Sequence, residues 1–392
     1  MSMDKHFPSQ TLESLKLEPG IRERHLENIN GLRVHILESG FETPNRPALL
    51  LLHGFPDLAY CWRKVMLPLA AAGYHVIAPD QRGYGRTTGW DGRYDGDVAS
   101  FRNHNYARDA IGITMALGHR EVACVVGHDF GAAVATYCAL ARPDYFRSLI
   151  LMSPFGGVPA LPFGTDGKLP EQPSQAQQLA ALNPPRKESY AYFSTQSAND
   201  DMLHAKQGLA DFLRAYFFLK SADYPGNHPH PLASASATEL AKLPTYYIME
   251  LNETMATTVA PLMPTKEQVA NERWLLASDL EVYASEYDRT GFQGALNWYR
   301  CNTDGTNRAE LELFAGRTID VPACFIAGEA DWGIYRQPGA LEAMQTKACA
   351  HMGERTSSRA LVIGYSRKGR RRRVSACLLF SRRYSRPARN NR

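Results

Sequence analysis

One segment constrains this chain more than any other. Val122-Ala123-Cys124-Val125-Val126 is a short apolar run that passes through Gly127-His128-Asp129-Phe130-Gly131 directly into the Ala-rich helical pattern of residues 132–142. A strand joined to a helix over so few residues needs a sharp turn, and flanking glycines supply the backbone freedom such a turn demands. Similar runs recur at 48–52 (Ala-Leu-Leu-Leu-Leu), 75–78 (His-Val-Ile-Ala), 148–152 (Ser-Leu-Ile-Leu-Met) and 323–327 (Ala-Cys-Phe-Ile-Ala), each bounded by Gly, Pro or Asp. Separated by helical patterns such as 107–117, they predict a mainly parallel sheet buried on both faces, an α/β fold.

The rhythm stops between Pro154 and about Arg317. A polar Pro- and Gln-rich stretch (165–188) and helical patterns near 206–221, 277–289 and 293–300 predict an inserted helical cap, after which the run at 323 rejoins the sheet. The 392 residues are enough for a large domain with such an insertion, and no internal repeat is seen.

The pattern small-x-acid-x-small at the strand-to-helix turn is that of a nucleophile elbow with Asp129 where a serine hydrolase carries Ser. The N-terminus of the following helix favours a carboxylate there, and an ionised carboxylate attacks without a base. The competing role for Asp129 is to cap that helix. His53-Gly54-Phe55-Pro56-Asp57 follows the first apolar run, where such a sheet supplies one oxyanion-hole amide, the residue after the nucleophile supplying the other. Phe55 and Phe130 are the expected donors. His53, abutting a strand end and a glycine turn, reads as a hydrogen-bonded structural residue. Gly328-Glu329-Ala330-Asp331-Trp332 ends the last apolar run, and the chain order nucleophile then acid makes Asp331 the candidate to orient a histidine, with Glu329 competing.

These motifs, with Asp80-Gln81-Arg82-Gly83-Tyr84-Gly85 and Gly291-Phe292-Gln293-Gly294-Ala295-Leu296-Asn297-Trp298-Tyr299-Arg300, make residues 30–350 resemble an epoxide hydrolase of the α/β-hydrolase superfamily. The resemblance implies an α/β-hydrolase core with a helical cap, a small hydrophobic epoxide as substrate, and neither metal nor organic cofactor. It also implies two cap tyrosines that protonate the departing oxygen. Tyr299 matches one; for the other, Ser189-Tyr190-Ala191-Tyr192-Phe193 needs a one-residue shift, making Tyr190 the choice and Tyr192 the alternative. Cap aromatics including Tyr216, Phe217, Phe218, Tyr246 and Tyr247 point to an apolar pocket.

The family's catalytic histidine, in a Gly-x-Gly-His-Trp setting after the last strand, is missing. His351 is the only histidine after Asp331 and lacks that setting. Read with each codon starting at the third base of the written one, however, Arg359 through Lys368 can encode Gly-Ala-Gly-His-Trp-Val-Gln-Gln-Glu. A frameshift or misjoined exon beginning near Met352 or a little before accounts for this. The expected organisation is therefore core over 1–158, cap over 159–316, core again over 317–352, and over 353–392 an aberrant basic tail replacing the last strand, the histidine loop and a helix. Such a chain forms the Asp129 ester and releases it slowly.

Charge agrees. From Arg355 onward there are 13 Lys and Arg and no acid, leaving 31 basic against 40 acidic residues before it. The formal +4 of the whole is an acidic body plus this tail. A genuine basic tail for nuclear import or nucleic acid is the rival reading, and no nucleic-acid partner is expected. Seven cysteines without a C-x-x-C pair suit a reducing cytoplasm, and no apolar run is long enough for a signal peptide or a membrane span. A homo-oligomer is left open. A haloalkane dehalogenase, sharing the Asp nucleophile, and a catalytically dead ligand-binding homologue are the alternative functions.

Overall fold

The computed structural model describes residues 13–159 and 173–353 and the backbone of 356–358. Ten strands form among them: β1 (Ile21–Ile29), β2 (Leu32–Ser39), β3 (Ala48–Leu52), β4 (His75–Pro79), β5 (Cys124–Gly127), β6 (Leu149–Leu151), β7 (Arg186–Glu188), β8 (Ile248–Glu250), β9 (Ala323–Gly328) and β10 (Thr356–Ser358). Eight make one sheet in the order β1-β2-β4-β3-β5-β6-β9-β10; β7 and β8 form a separate ribbon. β1, β2 and β4 pair antiparallel in turn and every later neighbour is parallel.

The apolar runs are strands because both faces of the sheet are covered. All five residues of β3 are buried, with Leu50 and Leu52 in the core cluster that includes Phe130 and Val134, and Leu49 and Leu51 in the opposite cluster with Trp62 and Met66. The first face is covered by α2 (Asn103–Ala116) and α3 (Phe130–Ala141), the second by α1 (Arg63–Ala71). β1 is an edge strand with a broken burial pattern, which explains why it lacks the uniformly apolar signature of the central strands; β2 lacks it because it buries the polar His35, Glu38 and Ser39.

Between β6 and β9 lies the cap. Its main helices are α4 (Ser189–Phe193), α5 (Leu209–Leu219), α6 (Ala277–Thr290) and α7 (Gln293–Thr303), the last three close to the segments expected from the sequence. The β7–β8 ribbon was not foreshadowed, because polar Arg186-Lys187-Glu188 is held extended by pairing with Ile248–Glu250 and not by an apolar alternation of its own. Cap and core are tied by Tyr283 Oη donating to Asp57 Oδ1 at 3.0 Å, Trp298 Nε1 to Asn103 Oδ1 at 3.0 Å and Arg86 Nε to Glu286 Oε1 at 2.8 Å.

The chain after 352 corrects the expectation in one respect. Thr356–Ser358 pair parallel with Ile326–Gly328, so a short last strand is present at this edge; strand pairing uses backbone groups that almost any sequence supplies. Residues 359–392, on which the expected frameshift and basic tail fall, lie outside the described residues. No helix among the described residues is long and apolar enough to cross a membrane.

The Asp80 motif braces the site from behind. Buried Asp80 accepts from His35 Nδ1 at 2.8 Å, Ala59 N at 2.8 Å and Arg86 N at 2.9 Å, and a side chain at Gly85 would collide with its carboxylate. Burial alone would lower the His35 pKa, but Asp80 and Glu23 outweigh it and lift the imidazole to about 9. Burial likewise opposes ionisation of Asp80, and His35 overcomes it, bringing the carboxyl to about 2. Because the folded His35 pKa exceeds its ordinary value of 6.5, its stabilisation is complete below pH 6.5 and fades as pH rises towards 9. Thermal melts should therefore show the melting temperature falling across that interval. His35→Gln, which leaves Asp80 charged and short of its partner, should cost roughly 3–5 kcal/mol at neutral pH and flatten the slope.

Candidate active site

The loops that follow β3, β4, β5, β6 and β9 all emerge at the carboxyl ends of parallel strands, the edge where open α/β sheets gather reacting groups. Asp129 sits at the apex of the β5–α3 turn with φ 53° and ψ −125°, a strained conformation for a residue with a side chain. Gly127 and Gly131 are the reason the turn closes. A Cβ on Gly127 would lie 2.3 Å from Gly131 O, and one on Gly131 would lie 2.4 Å from His53 O.

Asp129 does not cap α3: its side chain makes no hydrogen bond to that helix. Instead Oδ1 accepts from the Phe55 backbone N–H at 3.0 Å. Gly54 permits this approach, since a Cβ there would meet the Asp129 Cβ at 2.3 Å. Phe130 opens α3, where helix geometry leaves its N–H without an intrahelical acceptor. A carboxylate held by the Phe55 amide at the mouth of a helix can attack an electrophilic carbon with one oxygen while the other stays hydrogen-bonded.

His53 is fully buried, with Nδ1 at 2.9 Å from Gly54 O and Nε2 accepting the Gln81 N–H at 3.1 Å. Both ring nitrogens are occupied, and burial lowers its pKa. That is the structural role read from its position.

A cavity of about 620 Å³ opens over Asp129, between the sheet edge and the cap. Tyr190 and Tyr299 both line it, their rings 4.8 Å apart and edge-on. Burial pushes the Tyr299 phenol well above the ordinary tyrosine value, and the Asp129 carboxylate adds to the shift. Burial raises Tyr190 as well, with the Arg336 guanidinium opposing. Tyr192 does not line the cavity and turns to Asp201, 3.4 Å from Oδ2. Among the other cap aromatics, Tyr216 and Tyr247 line the cavity, whereas Phe217 packs on Tyr283 and Phe218 on Tyr224.

On the opposite wall, Asp331 lines the cavity while Glu329 is exposed. Asp331 accepts from Gly333 N at 2.7 Å, and burial raises its pKa, with Asp129 adding and the Gly333 amide and Lys220 opposing. His351 is far from this wall: its carbonyl accepts from Ala323 N, at the start of β9, whereas Asp331 follows the strand's end. A six-residue strand separates them by roughly 20 Å. His128 is the one histidine among the described lining residues, and its Nδ1 faces Asp57 Oδ2 at 3.9 Å, on the oxyanion-loop side. Lys220 and Arg336, which no motif singled out, also line the cavity.

Comparison with known proteins decides the family. The family described as the alpha/beta hydrolase fold matches residues 47–262. Epoxide hydrolase A of Mycobacterium tuberculosis is 32% identical over 320 residues, 80% of this chain and 83% of that protein. Epoxide hydrolase 3 of Siraitia grosvenorii is 32% identical over 326 residues, 80% and 83% of the two chains. The chain belongs to the epoxide hydrolases of the α/β-hydrolase superfamily.

Solved structures of this family agree over more of the molecule. The crystal structure of epoxide hydrolase A from Mycobacterium thermoresistibile superposes with a TM-score of 0.68 at 28% identity, covering 92% of this chain and 98% of the other. An epoxide hydrolase from an endophytic Streptomyces gives 0.70 at 25% identity, covering 93% and 97%. For an epoxide hydrolase the wall opposite Asp129 is the unusual part: among the described residues Asp331 faces the cavity without a histidine hydrogen-bonded to it. No group of three or more His, Cys, Asp or Glu side chains among the described residues could hold a metal.

Proposed function

We propose that this protein opens epoxides of small molecules through an ester on Asp129. The observation that carries the reading is the hydrogen bond from Phe55 N–H to Asp129 Oδ1 beneath the paired Tyr190 and Tyr299. Asp129 Oδ2 attacks an epoxide carbon, the C–O bond breaks, and the departing oxygen takes a proton from Tyr299 or Tyr190. Oδ1 becomes the ester carbonyl, already directed at the Phe55 amide, with the Phe130 amide as second donor for the oxyanion of the next step. Their raised pKa values keep both phenols protonated well into the alkaline range, as proton donors must be.

Hydrolysis of that ester needs a base between Asp129 and Asp331. Among the described residues no histidine is hydrogen-bonded to Asp331, which we attribute to a change of reading frame near Met352; on that reading the chain as written accumulates ester. Relatives named as epoxide hydrolases and a tyrosine pair over the carboxylate favour this over halide displacement.

Tyr299→Phe should slow ester formation by about 10²- to 10⁴-fold, the usual range for a lost general acid. Tyr190→Phe should have a smaller effect if Tyr299 is the main donor, and Tyr192→Phe none. Single-turnover rates with styrene oxide measure all three; a full rate in the Tyr190→Phe/Tyr299→Phe double variant would remove the tyrosines from the mechanism.

A further inference from the structure

Tyr190 and Tyr299 stand on separate elements of the cap, α4 and α7, and their rings meet 4.8 Å apart, so the joint between those elements fixes the pair. Phe292, which precedes the first turn of α7, makes no side-chain cap, and the amides there have no intrahelical acceptor. Asn199 takes that place from the short helix Ala198–Leu203, which follows Tyr190 in the chain. Its Oδ1 accepts from Phe292 N at 2.8 Å and from Gln293 N at 3.0 Å, while its Nδ2 donates to Asp200 Oδ1 at 2.8 Å and so orients the amide. Gly291 makes room for this approach, with φ 65° and a Cβ that would lie 2.9 Å from Asn199 Oδ1.

The far end of α7 is tied to the same segment. Thr303 Oγ1 donates to Ser194 Oγ at 2.8 Å, and Ser194 Oγ donates to Tyr190 O at 2.9 Å. Tyr94 braces this end, its Oη donating to Ser194 O at 3.1 Å while its carbonyl accepts from Arg300. The stretch that carries Tyr190 therefore grips the helix that carries Tyr299 at both termini. From Gln293 to Thr303 the helix rises about 15 Å, and from Tyr299 to Thr303 about 6 Å. A freed first turn that shifts by roughly 2–3 Å about the held end carries Tyr299 by roughly 1 Å, and a misplacement of that size costs a reaction about 10²-fold.

We infer that Asn199 is a positioning residue for ring opening: by capping α7 from the Tyr190 side, its amide oxygen sets where the Tyr299 hydroxyl stands over Asp129. The inference rests on the reading of Tyr299 as proton donor. Asn199 does not line the cavity, so it acts through the helix and not on the epoxide. The position needs an acceptor, since two N–H groups converge on one oxygen. Aspartate keeps that oxygen, adds a charge that helix N-termini favour and gives up only the Asp200 contact, whereas alanine leaves both amides uncapped.

Single-turnover labelling of Asp129 in the full chain with styrene oxide tests this, because a rate constant does not depend on how much of a variant is folded. Asn199→Ala should lower the saturating rate about 10- to 100-fold while the half-saturating concentration changes by about twofold at most, and Asn199→Asp should recover most of the loss. In the Tyr299→Phe background Asn199→Ala should cost about twofold or less, since the group it positions is gone. An Asn199→Ala protein that melts at a lower temperature yet labels at the wild-type rate, or that loses the same factor with Tyr299 present and absent, would overturn the assignment. If the wild-type chain labels nowhere, the nucleophile reading fails, and calorimetry with styrene glycol, the diol of the same epoxide, decides the positioning role by itself. Weaker binding in Asn199→Ala only when Tyr299 is present supports it, and equal binding overturns it.

Discussion

Asp129→Asn should abolish reaction with epoxides: no covalent adduct and no diol above the uncatalysed rate, a loss on the order of 10⁴-fold or more, as expected when the nucleophile of a coupled site is removed. The expectation follows from the placement of the side chain. Its Oδ1 is held by the Phe55 amide and its backbone is fixed at φ 53° between two glycines that cannot carry a Cβ, so no neighbour can take its position. The amide is nearly isosteric, so the melting temperature should move little. Circular dichroism and a thermal melt check that, and single-turnover assays with styrene oxide check the chemistry. Unimpaired ring opening in Asp129→Asn would move the nucleophile elsewhere.

Returning the C-terminus to the other reading frame should have the opposite effect. With Gly-Ala-Gly-His-Trp-Val-Gln-Gln-Glu in place of the residues written from Arg359, a histidine follows the edge strand β10, whose last residue pairs with Gly328, three positions before Asp331. A base delivered to that place can activate water against the Asp129 ester, and steady-state diol formation should rise by about 10²- to 10⁴-fold over the chain as written. The rate of the first turnover should stay comparable, because ring opening does not use that histidine. Sequencing the transcript across the codons for residues 340–370 addresses the origin of the tail, and kinetics of the two proteins address its effect.

Much of this molecule was legible because its sheet is buried on both faces. Runs such as Ala48–Leu52 and Ala323–Gly328 have no solvent-facing positions to interrupt them, so they stand out in the sequence. The elbow was legible for a related reason: Gly127 and Gly131 are forced by backbone contacts of less than 3 Å to any Cβ, and that necessity leaves a fixed spacing around Asp129. The β7–β8 ribbon was hidden because its strands draw on partners distant in sequence, and β1 and β2 because Arg, His and Glu side chains interrupt their apolar residues. Tyr190 and Tyr192 looked alike in one dimension, and only the pitch of a short helix turns one to Tyr299 and the other to Asp201. Lys220 and Arg336 carried no signal, since a lysine at the end of a cap helix and an arginine in a loop are ordinarily solvated; what makes them unusual is the tyrosines folded around them.

The central claim is a carboxylate nucleophile that forms an ester the chain as written cannot readily discharge. Intact-mass measurement of the full chain after incubation with excess styrene oxide tests it most directly. The account predicts a single added mass of one styrene oxide, mapped by peptide analysis to Asp129 and persisting after the free epoxide is removed, with diol not exceeding about one equivalent on that timescale. An unchanged mass with rapid, continuing diol formation, or an adduct on any other residue, would contradict it.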